Sequence, residues 1–529
     1  MSKNINPILS GFNPDPSILR VDDDYFIAVS TFEWYPGVQI YHSLDLVNWT
    51  LVSRPLNTAT LLDMTGCPDS CGVWAPCLTY DDGLFYLVYT NVKRFDGNFK
   101  DTPNYLTTCK TIDGEWTNPI YLNSSGFDPS LFHDEDGKKW LVNMIWDHRP
   151  EYSFFGGILL QEYCVKQQKL VGDAMNIFPG SKLGFTEGPH LYKINDYYYL
   201  LTAEGGTGYQ HACTFARAKN ITGPYELDPN GHVLTSKDHP ENPLQRTGHG
   251  GLVKTQSGDW YLTHLLSRPI SGYKRSPLGR ETGIQALDLM DDGWFKLKNK
   301  QSYGELNPPG LNATPYRDYS CRDEFTNTNL PVHYQWLRIP NPSSLYSLTD
   351  QPGALTLYGK QSVGSNFEQA LLARRQQHLS FSAETKLSFQ PTSFQQQAGL
   401  ICYYNAHKFH YLYMSFDEEK GLHLDVISCL GDQTLSLNYP IYNQRRSLPF
   451  SQVYLKAEVE SAQLNFSFSL NGQNWEKICE LDYSIISDEA GKGEGANFTG
   501  AFIGMCCQDL TGMNLPAKFD YFDYKERHL

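Results

Sequence analysis

The chain has 529 residues, too many for one ordinary core, so two or three domains are expected. It is 40% hydrophobic and 19% charged without any low-complexity tract, which excludes a disordered or fibrous polypeptide. A formal charge of −15, with no cluster of Lys and Arg, argues against nucleic acid or an anionic membrane as a partner.

The first twelve residues, "MSKNINPILSGF", contain no apolar signal core, and no later stretch reaches spanning length. The expectation is a cytosolic protein. Immediately afterwards "GFNPDPSILR" sets Asp15 between Pro14 and Pro16. Proline disfavours the helical region for the residue before it, so Asn13 and Asp15 are both expected to be extended.

The same arrangement returns. "DPSILRVDDDYFIAVS" starts at Asp15, "APCLTYDDGLFYLVYT" at Ala75 and "DPSLFHDEDGKKWLVNM" at Asp128. "EGPHLYKINDYYYLLTA" follows from Glu187 and "HGGLVKTQSGDWYLTHL" from His249. Each unit is an alternating strand, a polar turn of hairpin type and an aromatic strand. Pro16, Pro76, Pro129, Pro189 and Gly251 recur at intervals of roughly 53–62 residues, a propeller-blade period. Further strand pairs fill each interval and helical periodicity is absent. Five units of about four strands predict a five-bladed β-propeller over residues 1–305.

If the first strand of each unit lies innermost, its leading residues meet at the axis. Those residues are Asp15, Trp74 with Ala75, Asp128, Glu187 and His249. Within the first two units "CPDSCGVW" sets Cys67 and Cys71 four apart, but no second Cys/His pair follows at a zinc spacing. The twelve cysteines are expected to be free thiols.

After residue 305 the repeat stops. The Pro/Gly-rich piece 306–320 is expected to be a linker, and residues 321–529 an antiparallel β-sandwich. "GALTLYG", "GLHLDVISC", "VYLKAEVE" and "LNFSFSLNGQNWEKI" alternate cleanly there, the last with an Asn-Gly turn. The sandwich contains no comparable acid cluster.

Three carboxyl groups at one mouth, without a metal motif, suit glycoside hydrolysis. One must be ionised to activate water and another protonated to serve the leaving oxygen. Crowding of like charges keeps the second protonated near neutral pH. Aromatic rings such as Phe32, Trp74 and Trp146 offer apolar faces to a sugar. A non-catalytic sugar-binding propeller and a retaining glycosidase remain alternatives from the residues alone.

The ordered set "NPDPS", "STFEWYPGVQIYHSLDLVNW", "VWAPCLTY", "FDPSLF", "TEGPHLY", "GHGGLV" and "PLGRETGIQ" resembles family 43 glycoside hydrolases. The resemblance extends over the whole chain, to the β-xylosidase branch that carries a C-terminal, concanavalin A-like sandwich. It implies Asp15 as general base, Glu187 as general acid and Asp128 as the group that tunes and orients the acid. It also implies Arg280, Phe32 and Trp74 around the terminal sugar, with Trp146 near the leaving sugar. His249 matches an axial His that in some members binds calcium through a largely hydrated shell, and no cofactor is needed for the chemistry.

The implied activity is inverting, exo-acting release of D-xylose from β-1,4-xylo-oligosaccharides, with α-L-arabinofuranosidase as a side or alternative main activity. The implied assembly is a homodimer or homotetramer. A sandwich loop is expected to close the pocket, with "CCQDLTGMNLPAKFDYF" (506–522) as its candidate.

Overall fold

A computed structural model describes residues 4–316, 319–431, 444–490 and 497–527. No α-helix occurs among the described residues. Five antiparallel sheets come first, four of them four-stranded and the one that starts at Glu187 five-stranded, each built from strands close together in the sequence as the repeat predicts. Their first strands are Ser17–Val21, Gly72–Asp81, Ser130–His133, Glu187–Ile194 and Gln245–Lys254. Each packs on the next, and the fifth packs back on the first, so the ring closes around an axis lined by these strands.

The serines of the two "DPS" motifs help to hold that ring. Ser17 Oγ accepts the Leu78 N–H at 3.1 Å, and the Ser130 hydroxyl donates to the Pro189 carbonyl at 2.5 Å. Each bond ties one innermost strand to its neighbour in the next blade. Closure between the ends uses the segment before Asp15. Leu9 and Thr282 exchange backbone hydrogen bonds, and the Asn6 side chain bonds both backbone groups of Ile284. The stretch after the last blade is also fastened there, since Glu305 and Leu306 offer carbonyls to Asn6.

The expectation of extended backbone is not met at Asp15, and Asp128, which also precedes a proline, departs in the same way. Both have φ of +56°, and Ala75 (+35°), Gly188 (+56°) and His249 (+41°) occupy matching places in the other blades. Such values are uncommon outside glycine, and they concentrate where surrounding structure over-determines the backbone. In blades two, four and five the strand register slips at this point, as at a β-bulge. Bulges re-aim side chains at rims and sites. The repeat therefore carries a turned residue just before, or within the first half of, each innermost strand, which local proline sterics alone did not indicate.

Two eight-stranded sheets form the C-terminal sandwich. One includes Ser380–Ser388, Gln452–Glu460 and Pro516–Glu526, the other Ala370–Arg375, Gln396–Asn405 and Phe502–Asp509. The second sheet also takes in a propeller segment, because Trp34–Tyr35 pairs with Tyr334–Leu337. Trp34 stacks on Phe502 with ring centroids 3.6 Å apart. Buried charges cross the same junction: Arg338 donates to Asp69 and Arg246 to Asp488 and Glu489.

Candidate active site

A cavity of about 490 Å³ opens at the mouth of the propeller axis, and all eight residues singled out from the sequence line it. Asp15, Asp128 and Glu187 come from blades one, three and four. Phe32, Trp74 and Trp146 supply rings, and Arg280 and His249 complete the set.

Asp15 is buried and well supplied with donors. The Ser30 hydroxyl donates to Oδ2 at 2.5 Å and Arg280 Nη1 to Oδ1 at 3.1 Å. Ser30 is in turn fixed by the Ala75 N–H on its Oγ at 2.7 Å. Bonds from a guanidinium to a carboxyl group are short, strong and directional, so they fix the orientation of the Asp15 side chain. His249 Nδ1 stands 3.8 Å from Asp15 Oδ1, and burial lowers the imidazole's pKa, so it approaches as a neutral ring.

The opposite side is built differently. Asp128 is buried, and its Oδ2 accepts the Gly188 N–H at 3.1 Å. That bond needs the turned backbone at Gly188, where a Cβ would also stand only 3.0 Å from the His249 ring. "TEGPH" therefore requires its glycine. Burial, then the nearby charges of Glu187 and Asp15, push the Asp128 carboxyl well above the usual range. Burial and then the charge of Asp15 raise Glu187 to about 8, against the pull of Arg280 and Lys100. The sequence reading gave Asp128's charge as what keeps the acid protonated. Here removal from water comes first and Asp15 second.

Arg280 holds the two halves of the molecule together at the pocket. Besides Asp15 it donates through Nη2 to the Phe498 carbonyl at 2.9 Å, while its Nε has no hydrogen-bond partner among the described residues. Its guanidinium lies 5.2 Å from the Phe32 ring centre. Phe32, itself at φ +53°, packs 5.6 Å from Trp74. Trp146 donates from its indole to the Asn98 carbonyl at 2.8 Å, and Lys100 Nζ sits 4.3 Å over its ring.

Among the described residues, the sandwich residue that reaches the cavity is Phe498, not a member of 506–522. That expected loop is largely strand: its ends belong to Phe502–Asp509 and Pro516–Glu526 within the sheets. Sequence reasoning also passed over Phe95, Lys100, Phe127, Phe155, Phe185 and Thr207. Phe127 stood inside the quoted "FDPS" motif, and Thr207 in the glycine cluster "GGTG", a sign of a loop at the mouth. Nothing in the sequence marks Phe498, a lone aromatic in a connection.

Among the described residues, the group able to bring three metal-ligating atoms together is Cys321, Asp323 and His333, outside the cavity. It is already satisfied internally: Arg374 Nη1 donates to Cys321 Sγ at 2.7 Å, and Tyr334 OH donates to Asp323 at 2.8 Å. All twelve cysteines, including Cys67 and Cys71, are free.

An aspartate held by strong donors, across from a buried and a half-buried carboxyl of raised pKa, makes a site where one acid can accept a proton from a nucleophile and another can give one to a leaving group. The model for glycosyl hydrolases family 43 matches residues 5–295, and that for a beta xylosidase C-terminal concanavalin A-like domain matches 322–525. The chain is 52% identical over 527 residues to xylosidase/arabinosidase 43B of Humicola insolens, covering 98% of this chain and 97% of that protein. It is 50% identical to a beta-xylosidase of Bacillus subtilis (strain 168), with 99% and 100% covered. Among solved structures, xylan beta-1,4-xylosidase from Bacillus halodurans C-125 superposes with a TM-score of 0.95 at 49% identity, covering 98% and 99% of the two chains. With this fold, these motifs and this full-length similarity, the chain belongs to glycosyl hydrolase family 43.

Proposed function

We propose that the protein is an inverting exo-β-1,4-xylosidase that removes D-xylose from the non-reducing end of short xylo-oligosaccharides. The observation that carries this reading is the contrast between Asp15, supplied with hydrogen-bond donors, and the Asp128–Glu187 pair, held protonated by burial. Asp15 takes a proton from a water molecule as its oxygen attacks the anomeric carbon. Glu187 gives its proton to the departing glycosidic oxygen as the C–O bond breaks, so a single displacement inverts the configuration. Asp128 fixes Gly188 next to the acid and shares its proton-retaining environment. Arg280 offers Nε to a sugar hydroxyl, and Phe32, Trp74 and Phe498 wall the ring.

A second reading, cleavage of α-L-arabinofuranosides in the same pocket, is favoured by the xylosidase/arabinosidase name of the Humicola insolens relative. Calcium on the axis would be held by His249 and water. Two further imidazoles close enough to feel His249, His190 and His211, offer nitrogen, whereas calcium takes six to eight oxygens, so water would supply most of the shell. Such an ion would add positive charge and rigidity, and no proton transfer above depends on it. A cytosolic setting is supported by the twelve free thiols, since extracellular conditions favour disulfides.

The test is hydrolysis of xylobiose followed by NMR. α-Xylose appearing first supports the proposal; β-xylose first would establish retention, and no xylose at all would leave a binding protein. Side-by-side rates on xylobiose and an α-L-arabinofuranoside rank the two substrates.

A further inference from the structure

Glu33 is fully buried between Phe32 and Trp34, where the propeller meets the sandwich, and its carbonyl accepts the Arg338 N–H at 2.9 Å. Its Oε2 accepts the Ser70 N–H at 3.2 Å, while Oε1 has no hydrogen-bond partner among the described residues. Burial, followed by the charge of Asp69, raises this carboxyl to about 8. A buried acid with part of its bonding capacity unused is unfavourable, and an apolar side chain would fill the space better. What the carboxyl does hold is Ser70.

Ser70 has φ of +63°, in the left-handed region that serine rarely takes. From that turn it offers two acceptors to the wall of the cavity. Its carbonyl accepts Trp74 Nε1 at 2.9 Å, and its hydroxyl accepts the Phe498 N–H at 3.3 Å. Trp74 and Phe498 both line the cavity, with ring centroids 5.6 Å apart, whereas Glu33 and Ser70 do not. The preceding Asp69 is gripped from the sandwich by Arg338 Nη2 at 2.6 Å and the Ala406 N–H at 3.0 Å. One short turn thus receives a propeller carboxyl and two sandwich donors, and passes their positions to two rings from different domains.

We propose that Glu33 is a positioning residue for substrate binding: by holding Ser70 in its left-handed turn, it fixes the Trp74 indole and the Phe498 backbone against the sugar. The proposal rests on the reading of this cavity as the sugar site. Rings that flank the sugar contact ground state and transition state alike, so their displacement raises KM and leaves kcat nearly unchanged.

The test uses the full chain on an aryl β-D-xyloside, with kcat and KM measured separately across pH. Glu33→Ala should raise KM about tenfold with kcat within about threefold of native. Glu33→Gln, whose amide oxygen still accepts the Ser70 N–H, should return KM to within about twofold of native. A folded Glu33→Ala enzyme with native KM overturns the proposal, as does a Gln variant whose KM matches that of the Ala variant. Where the Ala variant does not fold, Ser70→Gly decides. Glycine keeps the positive φ and deletes only the hydroxyl that receives Phe498. A KM about threefold higher supports the proposal and an unchanged KM overturns it. A native chain inactive on xylosides and arabinofuranosides alike would instead remove the functional reading and this proposal with it.

Discussion

The two sides of the pocket use the same functional group for opposite ends. On one, Asp15 receives a hydroxyl and a guanidinium; on the other, Asp128 has a single backbone N–H and Glu187 feels Arg280 and Lys100 only as nearby charges. Carboxyl groups part company because one is given strong donors in place of water and the other two are given little, so that loss of water raises them. Acid and base are thereby distinguished by neighbours, not by residue type. The neighbours themselves are distant in sequence: Arg280 lies 265 positions from Asp15.

The strongest way to break this contrast is to remove its donor-supplied member. Asp15→Gly suits a backbone at φ +56° and should lower kcat on xylobiose about 10³-fold or more, with xylose binding retained in calorimetry. Near-native turnover would take the base role from Asp15. On the other side, Glu187→Ala should cost about 10³-fold on xylobiose but only about tenfold on an aryl glycoside with an activated leaving group. Equal losses on both substrates would end the acid assignment.

A smaller effect sharpens the comparison. Glu187 must be protonated to act, and its pKa of about 8 places the alkaline limb of kcat/KM there, with activity falling as pH rises through it. Asp128→Asn tolerates the left-handed backbone and keeps an oxygen for the Gly188 N–H, while replacing a carboxyl whose own pKa is already raised by burial. The alkaline limb should therefore stay within about half a pH unit of native. A limb that moves down by about one pH unit or more would show that charge on Asp128 helps to hold the proton on Glu187.

The smallest effect is on stability. A buried acid with a raised pKa holds its proton in the folded state and loses it more readily when unfolded. Between about 4.5 and 8 the native state therefore binds more protons, and stability declines as pH rises. Glu187→Gln should raise the thermal midpoint by about 2–4 °C at pH 8 and by less at pH 5. The same gain at both values would show that ionisation of Glu187 is not the cause.

Much of this was legible in the sequence because it was repeated. The period of the Pro anchors gave five blades, and three acids at matching strand starts gave one pocket. The "DPS" serines, read at first as part of a pattern, turn out to bond adjacent blades. What escaped was set by tertiary contact. The turned backbone at Asp15 and Asp128 overrides the local preference of a residue before proline, and both side chains are held by groups from elsewhere in the chain, Asp15 by Ser30 and Arg280 and Asp128 by the Gly188 N–H. Phe498 was invisible since no periodicity marks a single connecting residue. Segment 506–522, the candidate for the pocket-closing loop implied by the family resemblance, is instead largely strand.

The Arg280 guanidinium touches both Asp15 and the carbonyl of Phe498, a further 218 positions along. During synthesis, at roughly 5–20 residues per second, the aspartate emerges on the order of half a minute or more before the phenylalanine that completes its surroundings. A nascent or prematurely terminated polypeptide therefore carries the acids without the finished hollow, and hydrolytic competence arrives only with the final stretch of translation.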